Sequence, residues 1–244
     1  YRRSGVLTGL LYDSIGYLTS RGAKPWLADA WSFTDADGGP RATVRLRPEL
    51  QWHDGESVTA EDVAFTYALL ADTSLDAVGG SDGGSGDGTA TTTDRDARVP
   101  APRFQGRTRL VDEVRTTESG DVVFQFIDCS PYVATRAFTV PILPKHIWQD
   151  RTSPASISGI EVGRATEALV TNNIPPIGSG PLRFVRNTPR ESLVLEPFES
   201  HFLTDSETAG SIDVGPPDFD RLAIQVVGSD DAAVGVVAAG DADV

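Results

Sequence analysis

Leu7, Leu10, Leu11, Ile15 and Leu18 recur at spacings of three and four, which predicts a helix over residues 5 to 18 that ends near Asp13 to Gly16. Lys24 to Trp31 reads as a short irregular piece anchored by Trp26 and Trp31. Ala42 to Arg47 then alternates, with Val44 and Leu46 on one side and Arg45 and Arg47 on the other, as in a half-exposed strand. Asp37-Gly38-Gly39-Pro40 before it carries turn chemistry.

The clearest helix is Thr59 to Ala71. Thr59 is placed to cap it, with Asp62 at the reciprocal third position, and Val63, Tyr67 and Leu70 form its apolar stripe. Strands are predicted over 108–116 and 122–127, the second with Val122, Phe124 and Phe126 on one face, joined by a Ser119-Gly120 turn. Together with the strand at 42–47 they should form a small antiparallel sheet packed on the 59–71 helix.

The remainder alternates in type. A helix is expected from Pro131 towards Ala137, and a short one with Pro144 as its first residue through Trp148. Residues 152–161 read as loop and 163–170 as weakly helical. Residues 182–185 and 192–195 read as a hairpin turning at 187–190. Leu222 to Val227 is a continuous apolar strand, expected to be buried on both faces, and Asp230 is expected to cap a last helix that stops at Gly240. The order is mixed α and β without regular βαβ alternation, which defines the fold class as α/β (mixed α+β).

Composition sharpens the picture in three places. Residues 79–96 are low-complexity Gly, Ser, Thr and Asp, read as a solvated insertion that cannot bury apolar area. Acidic residues number 35 against 21 Lys plus Arg, a net charge of -14, which repels phosphate backbones and argues against a nucleic-acid partner. Lys24 and Lys145 are the only lysines, and Asp outnumbers Glu. That balance fits a salt-loving source, or an ordinary acidic secreted protein of a GC-rich genome. No run of 18 apolar residues occurs. The chain opens at Tyr1 and reads as a processed or trimmed piece of something longer.

The chemistry of catalysis is hard to find. Cys129 is the single cysteine, with no basic neighbour to activate it, and it cannot form an internal disulfide. His53, His146 and His201 form no metal-type pair, so no metal or other cofactor is expected. No Gly-x-Ser-x-Gly elbow is present. Ile177-Gly178-Ser179-Gly180-Pro181 lacks the third glycine and the Gly-Lys-Ser/Thr of a phosphate loop, and it precedes a strand rather than a helix, so it reads as a rigid turn. His53-Asp54 has the residue types of a base and its orienting carboxylate, but Asp54-Gly55 is a turn signal and no nucleophile accompanies it. The carboxylates at Glu61-Asp62 and Asp230-Asp231 stand at helix starts, where capping accounts for them.

A more specific pattern lies at Leu46 to Phe65: LRPELQWHDGESVTAEDVAF. It resembles the signature of the family 5 extracellular solute-binding proteins, the dipeptide-, oligopeptide- and nickel-binding components of ABC importers. Leu11-Tyr12-Asp13-Ser14, Pro25 to Trp31, Leu143-Pro144-Lys145-His146, Pro176 to Leu182 and Gly240 to Val244 resemble further segments of that family in the same order.

The resemblance implies two lobes that close on a ligand, with an accessory domain inserted in the first. Residues 1–33 and 177–244 would belong to the first lobe and 34–176 to the accessory domain, while the second lobe would be absent from this chain. It implies a binding protein, not an enzyme, that delivers peptides to a membrane permease. Nickel chelates, sugars or a sensory or scaffold role are the alternatives. The protein would lie outside the cell or in the cell envelope, held to the membrane by a lipid anchor outside this chain. By the same resemblance the ligand-facing residues are the turn Tyr12, Asp13 and Ser14 and the loop Gly178, Ser179 and Gly180, with Asp13 accepting from a ligand amine and exposed backbone pairing with an extended peptide. Ser14 stands where the family usually has Gly.

Overall fold

A computed structural model describes residues 2–20, 22–36, 39–71, 102–127, 129–149, 155–157, 160–162, 175–212 and 214–243. The expected low-complexity insertion at 79–96 and the weak helix at 163–170 lie outside the described residues.

The opening helix, α1 (Arg2–Leu11), is shorter than its apolar spacing predicts. The chain leaves it because tertiary partners replace helical ones. The backbone N–H of Asp13 donates to Ser179 Oγ (3.3 Å), and its carbonyl accepts from Ile142 N (2.8 Å). Ile15 and Leu18 therefore sit outside the helix, one fully buried and the other exposed. Gly16–Thr19 (β1) pairs antiparallel with Gly22–Pro25 (β2).

The stretch expected to be irregular, Lys24 to Trp31, runs into a long strand, β3 (Ala28–Ala36), paired antiparallel with β4 (Gly39–Leu46) from Ala28↔Leu46 to Ala36↔Gly39. A register shift between Ala28 and Ala30 breaks the alternation at its start, and the ladder to β4 overrides the weak local signal.

The expected sheet is present and one strand larger. Val111–Thr116 (β5) and Val122–Phe126 (β6) complete a four-stranded antiparallel sheet in the order β3-β4-β6-β5. Helix α2 (Ala60–Ala71) packs on it. Val44, Val122, Phe124 and Phe126 meet Val63 and Tyr67 in the main apolar core, with Phe124 edge-on to Tyr67 at 4.9 Å between ring centres. The Tyr67 hydroxyl donates to Ala137 O (2.5 Å), and its burial pushes its pKa up.

Smaller elements differ more. The strand expected from residue 108 begins at 111, because Pro102–Thr108 forms a short helix, α3, tied across by Arg107 to Thr139 O (2.7 Å). Pro131–Ala134 (α4) is capped by the Ser130 hydroxyl and followed by a 3-10 turn at Ala137–Thr139. Pro144 is the cap rather than the first residue of α5 (Lys145–Trp148). Within the expected loop at 152–161, Ala155–Ile157 (β7) and Ile160–Val162 (β8) form a hairpin.

The C-terminal third builds a second sheet, in the order β11-β10-β9, from Leu182–Thr188 (β9), Ser192–Pro197 (β10) and Leu222–Gln225 (β11). It has its own small cluster of Leu11, Leu182 and Leu195. A 3-10 turn at Phe202–Thr204 and helix α6 (Ser206–Ile212) follow β10. β11 is not buried on both faces as its apolar run predicts. It is an edge strand whose residues alternate between half-buried and exposed, and Val226 just beyond it is 64% exposed. The last helix, α7 (Asp230–Ala238), is capped by the Ser229 hydroxyl on Ala232 N (3.1 Å) rather than by Asp230. It ends at Ala238, and Gly240 just beyond the cap has a φ of 79°, which glycine adopts freely.

Helix α2 also fastens the Leu143-Pro144-Lys145-His146 segment. Asp62 Oδ2 accepts from the backbone N–H (2.8 Å) and hydroxyl (2.9 Å) of Thr59, so Thr59 donates where the sequence suggests it caps. Asp62 Oδ1 accepts from Lys145 N (2.7 Å). Thr66 Oγ1 donates to Asp62 O (2.8 Å) and accepts from Leu143 N (2.9 Å). On the exposed rim Lys145 Nζ meets Glu61 (2.5 Å), holding that carboxyl below its usual range. Replacing Asp62 by Ala strands three donors, and each hydrogen bond to a charged acceptor is worth ~1.5–3 kcal/mol. The variant should lose about 2–4 kcal/mol, read as a lower urea midpoint with an unchanged slope.

Candidate functional site

The two candidate segments, far apart in sequence, lie against each other. The chain at Gly178-Ser179-Gly180 crosses the end of α1, where Gly180 N donates to Leu11 O (3.0 Å) and Ser179 Oγ accepts from Asp13 N. A Cβ added at Gly178 would collide with the backbone of Leu11, and one at Gly180 with the backbone of Leu10 and Leu11. Glycine is required there by the closeness of two backbones.

His53 holds the other side of this segment. Its backbone N–H donates to Gly178 O (2.8 Å), its Nδ1 faces Gly178 N (3.2 Å), and its Nε2 faces Gly180 O (2.9 Å). A backbone N–H can only donate and a carbonyl can only accept. The ring is therefore the neutral tautomer with its proton on Nε2. It stands edge-on to Phe198 at 4.9 Å between centres. Burial lowers its pKa, an effect partly offset by the bond to Gly180 O and by the Asp13 charge.

Asp13 lies 3% exposed at the centre of the junction, and both carboxylate oxygens are engaged. Oδ1 accepts from Trp26 Nε1 (2.7 Å), and Oδ2 faces His201 Nε2 (3.2 Å). His201 Nδ1 accepts from Leu203 N (3.2 Å), which leaves the Nε2 proton for Asp13. Trp26 and His201 also flank Phe202, with ring centres at 5.3 and 4.2 Å. The Arg47 guanidinium lies over Phe202 at 5.4 Å and donates through Nε to Trp26 O (2.6 Å). Desolvation lowers the Arg47 pKa, against the opposing pull of Asp29.

The six predicted residues are thus brought together. Asp13, Gly178, Ser179 and Gly180 are buried, while Tyr12 and Ser14 are half-buried. Ser14 Oγ donates to Gly16 O (2.9 Å), and its backbone bridges to Pro141. Sequence reasoning did not connect His53, Trp26 or His201 with this place. His53 stood in a recognisable motif, but its partners lie 125 and 127 residues away. The neighbouring Asp54 does not orient His53 either. Its Oδ2 faces His146 Nε2 (2.9 Å) and its Oδ1 accepts from Glu56 N. Among the described residues no group of His, Cys, Asp and Glu is arranged to hold a metal ion, and no helix is long and apolar enough to cross a membrane.

The four-stranded sheet with its covering helix is joined through a glycine crossing to a second sheet, the mixed α/β arrangement of a periplasmic-binding-protein-like lobe. A family model for bacterial extracellular solute-binding proteins, family 5, matches residues 22–244, and the chain belongs to that family. Members of this family are binding proteins, not enzymes.

The chain is similar to the oligopeptide-binding protein AppA of Bacillus subtilis, solved with a nonapeptide, at 22% identity and a TM-score of 0.66, covering 98% of this chain and 38% of that one. It is similar to NikZ of Campylobacter jejuni, solved with Ni(L-His), at 18% identity and a TM-score of 0.64, covering 96% and 37%. It is also similar to the ABC transporter substrate-binding protein CtaP of Listeria monocytogenes, at 24% identity and a TM-score of 0.64, covering 99% and 39%. A curated relative, the uncharacterized protein y4wM of Sinorhizobium fredii, is 26% identical over 218 residues, which are 89% of this chain and 27% of that protein. The chain therefore spans between about a quarter and two fifths of the length of these relatives.

Replacing Gly178 by Ala forces two backbones apart, a change of the kind that costs about 1–3 kcal/mol in packed interiors. The expected result is a lower denaturation midpoint for Gly178→Ala, with Gly215→Ala, where an added Cβ meets nothing within 4 Å, left near wild type.

Proposed function

We propose that this chain is part of the solute-binding component of an ABC importer, which captures peptides between two closing lobes and hands them to a membrane permease. It acts on no bond. The observation that carries the reading is the family match across residues 22–244. The likeness of fold to a protein solved with a nonapeptide supports peptide as the cargo.

On this reading the chain divides into a first lobe and an accessory domain, with Ile15, Leu27 and Ala28 of the first packed into the main apolar core of the second. Residues 1–33 and 177–244 are first lobe, and 34–176 are the accessory domain. Tyr12, Asp13, Ser14, Gly178, Ser179 and Gly180 form the first lobe's ligand-facing edge, in which the backbone groups of Asp13, Gly178 and Gly180 are already paired within the protein. Asp13 and Ser179 shape that edge from within, because their polar atoms are already engaged. Ligand would stabilise the closed state by bridging the lobes. The protein works outside the cell, held to the envelope by a lipid anchor beyond this chain, and its acidic, lysine-poor surface suits a salt-rich setting.

Mass spectrometry of small molecules that co-purify with the full-length protein tests the cargo. Peptides released on denaturation are expected. Recovery of only a nickel chelate or a sugar at stoichiometric amounts would contradict the peptide assignment.

A further inference from the structure

The doubly bonded imidazole of His53 has a consequence for ligand binding. Its two ring nitrogens span the glycine segment, one accepting from Gly178 N and the other donating to Gly180 O, while Gly180 N reaches on to Leu11 O and Ser179 Oγ to Asp13 N. The segment is clamped on one side by His53 and on the other by the end of α1. Only a neutral ring can do this. A proton on Nδ1 would set an N–H against the Gly178 N–H, replacing a hydrogen bond by two opposed donors.

We propose that His53 is a positioning residue for ligand binding: as a neutral ring it fixes Gly178-Ser179-Gly180 beside Tyr12-Asp13-Ser14, and mild acid releases that segment and weakens ligand capture. This rests on the reading of the two segments as the ligand-facing edge.

The groups around the ring set the direction. Asp13 favours the charged ring, while His201 and Arg183 oppose it, and burial opposes it most. Arg183 is itself paired with Glu196 (2.7 Å), and Asp54, next in the chain, is occupied by His146. Glu56 is tied in the same turn, its carbonyl accepting from Trp52 N (2.8 Å) and its N–H bonding Asp54. No carboxylate hydrogen-bonds either ring nitrogen of His53; both face the glycine segment.

With its pKa depressed in the fold, His53 binds fewer protons folded than unfolded. Its contribution is fully present above the unfolded value near 6.5 and is lost as pH falls from there through the lower folded value.

The test uses the full-length protein and amide hydrogen exchange, corrected for the intrinsic pH dependence of exchange. From pH 7.5 to pH 5, protection of the Gly178 amide should fall about tenfold for each unit of pKa depression that is titrated. His53→Gln, which can accept through Oε1 and donate through Nε2 but does not titrate, should keep its protection across the range. Affinity for a tryptic peptide mixture should fall in parallel in the wild type and stay flat in His53→Gln. Gly178 protection independent of pH, or an equal loss in His53→Gln, overturns the proposal.

Should His53→Gln fail to fold, imidazole ¹⁵N shifts of the wild type decide. A ring carrying its proton on Nε2 at pH 7.5, with a titration midpoint below 6.5 at the lower end of the range over which Gly178 protection is lost, supports the clamp, and a proton on Nδ1 at pH 7.5 overturns it. If no peptide binds at any pH, the peptide assignment fails, and Gly178 exchange still decides the role of His53.

Discussion

Two backbones pass so closely at Gly178 and Gly180 that no side chain fits between them and the end of α1. Much of the surrounding arrangement follows from that approach. It ends α1 at Leu11, because the next polar backbone groups find partners in Ser179 and Ile142 instead of in another helical turn. It turns the Asp13 carboxylate inward, where Trp26 and His201 must answer it. It also brings the turn at His53, which lies between β4 and α2, against the segment that leads into the second sheet. An unpaired buried carboxylate or imidazole costs several kcal/mol, about 3–5 when one partner of a buried pair is removed. The polar groups at this junction therefore specify one arrangement rather than merely permitting it.

The residues by which the sequence resembles the family serve structure. In the Trp52 to Val63 stretch, His53 reaches the glycine crossing, Asp54 reaches His146, and Asp62 gathers Thr59 and Lys145. The stretch and the Leu143 to His146 segment thus form an interlocked unit. On the proposed reading this gives a rigid lobe, with motion left to the joint between lobes. A receptor that works by closure needs such stiffness in its halves.

Much of the architecture was legible because local rules agreed with the final packing. The α2 stripe of Val63, Tyr67 and Leu70 and the alternation of Val122, Phe124 and Phe126 are visible in the sequence, and both faces are buried. The errors arose where tertiary contacts overrode local preference. The spacing of Ile15 and Leu18 continues a helical period, yet the backbone of Asp13 is bound elsewhere. β3 hides behind a register shift and polar residues, and becomes a strand by pairing with β4. β11 is apolar enough for a buried strand, but among the described residues only β10 flanks it. At the site, the sequence brought out the two segments and the motif containing His53. It did not reveal that Asp13 is satisfied internally, because its partners are 13 and 188 residues away.

Small-angle X-ray scattering of the full-length protein, alone and saturated with a peptide shown to bind, tests the central claim most directly. A lobe stiffened at the glycine crossing and closing on its cargo predicts a smaller radius of gyration in the complex, with the scattering of each state fitted by rigid lobes about one hinge. A radius unchanged at full occupancy, or a change that requires this lobe itself to come apart, would contradict the account.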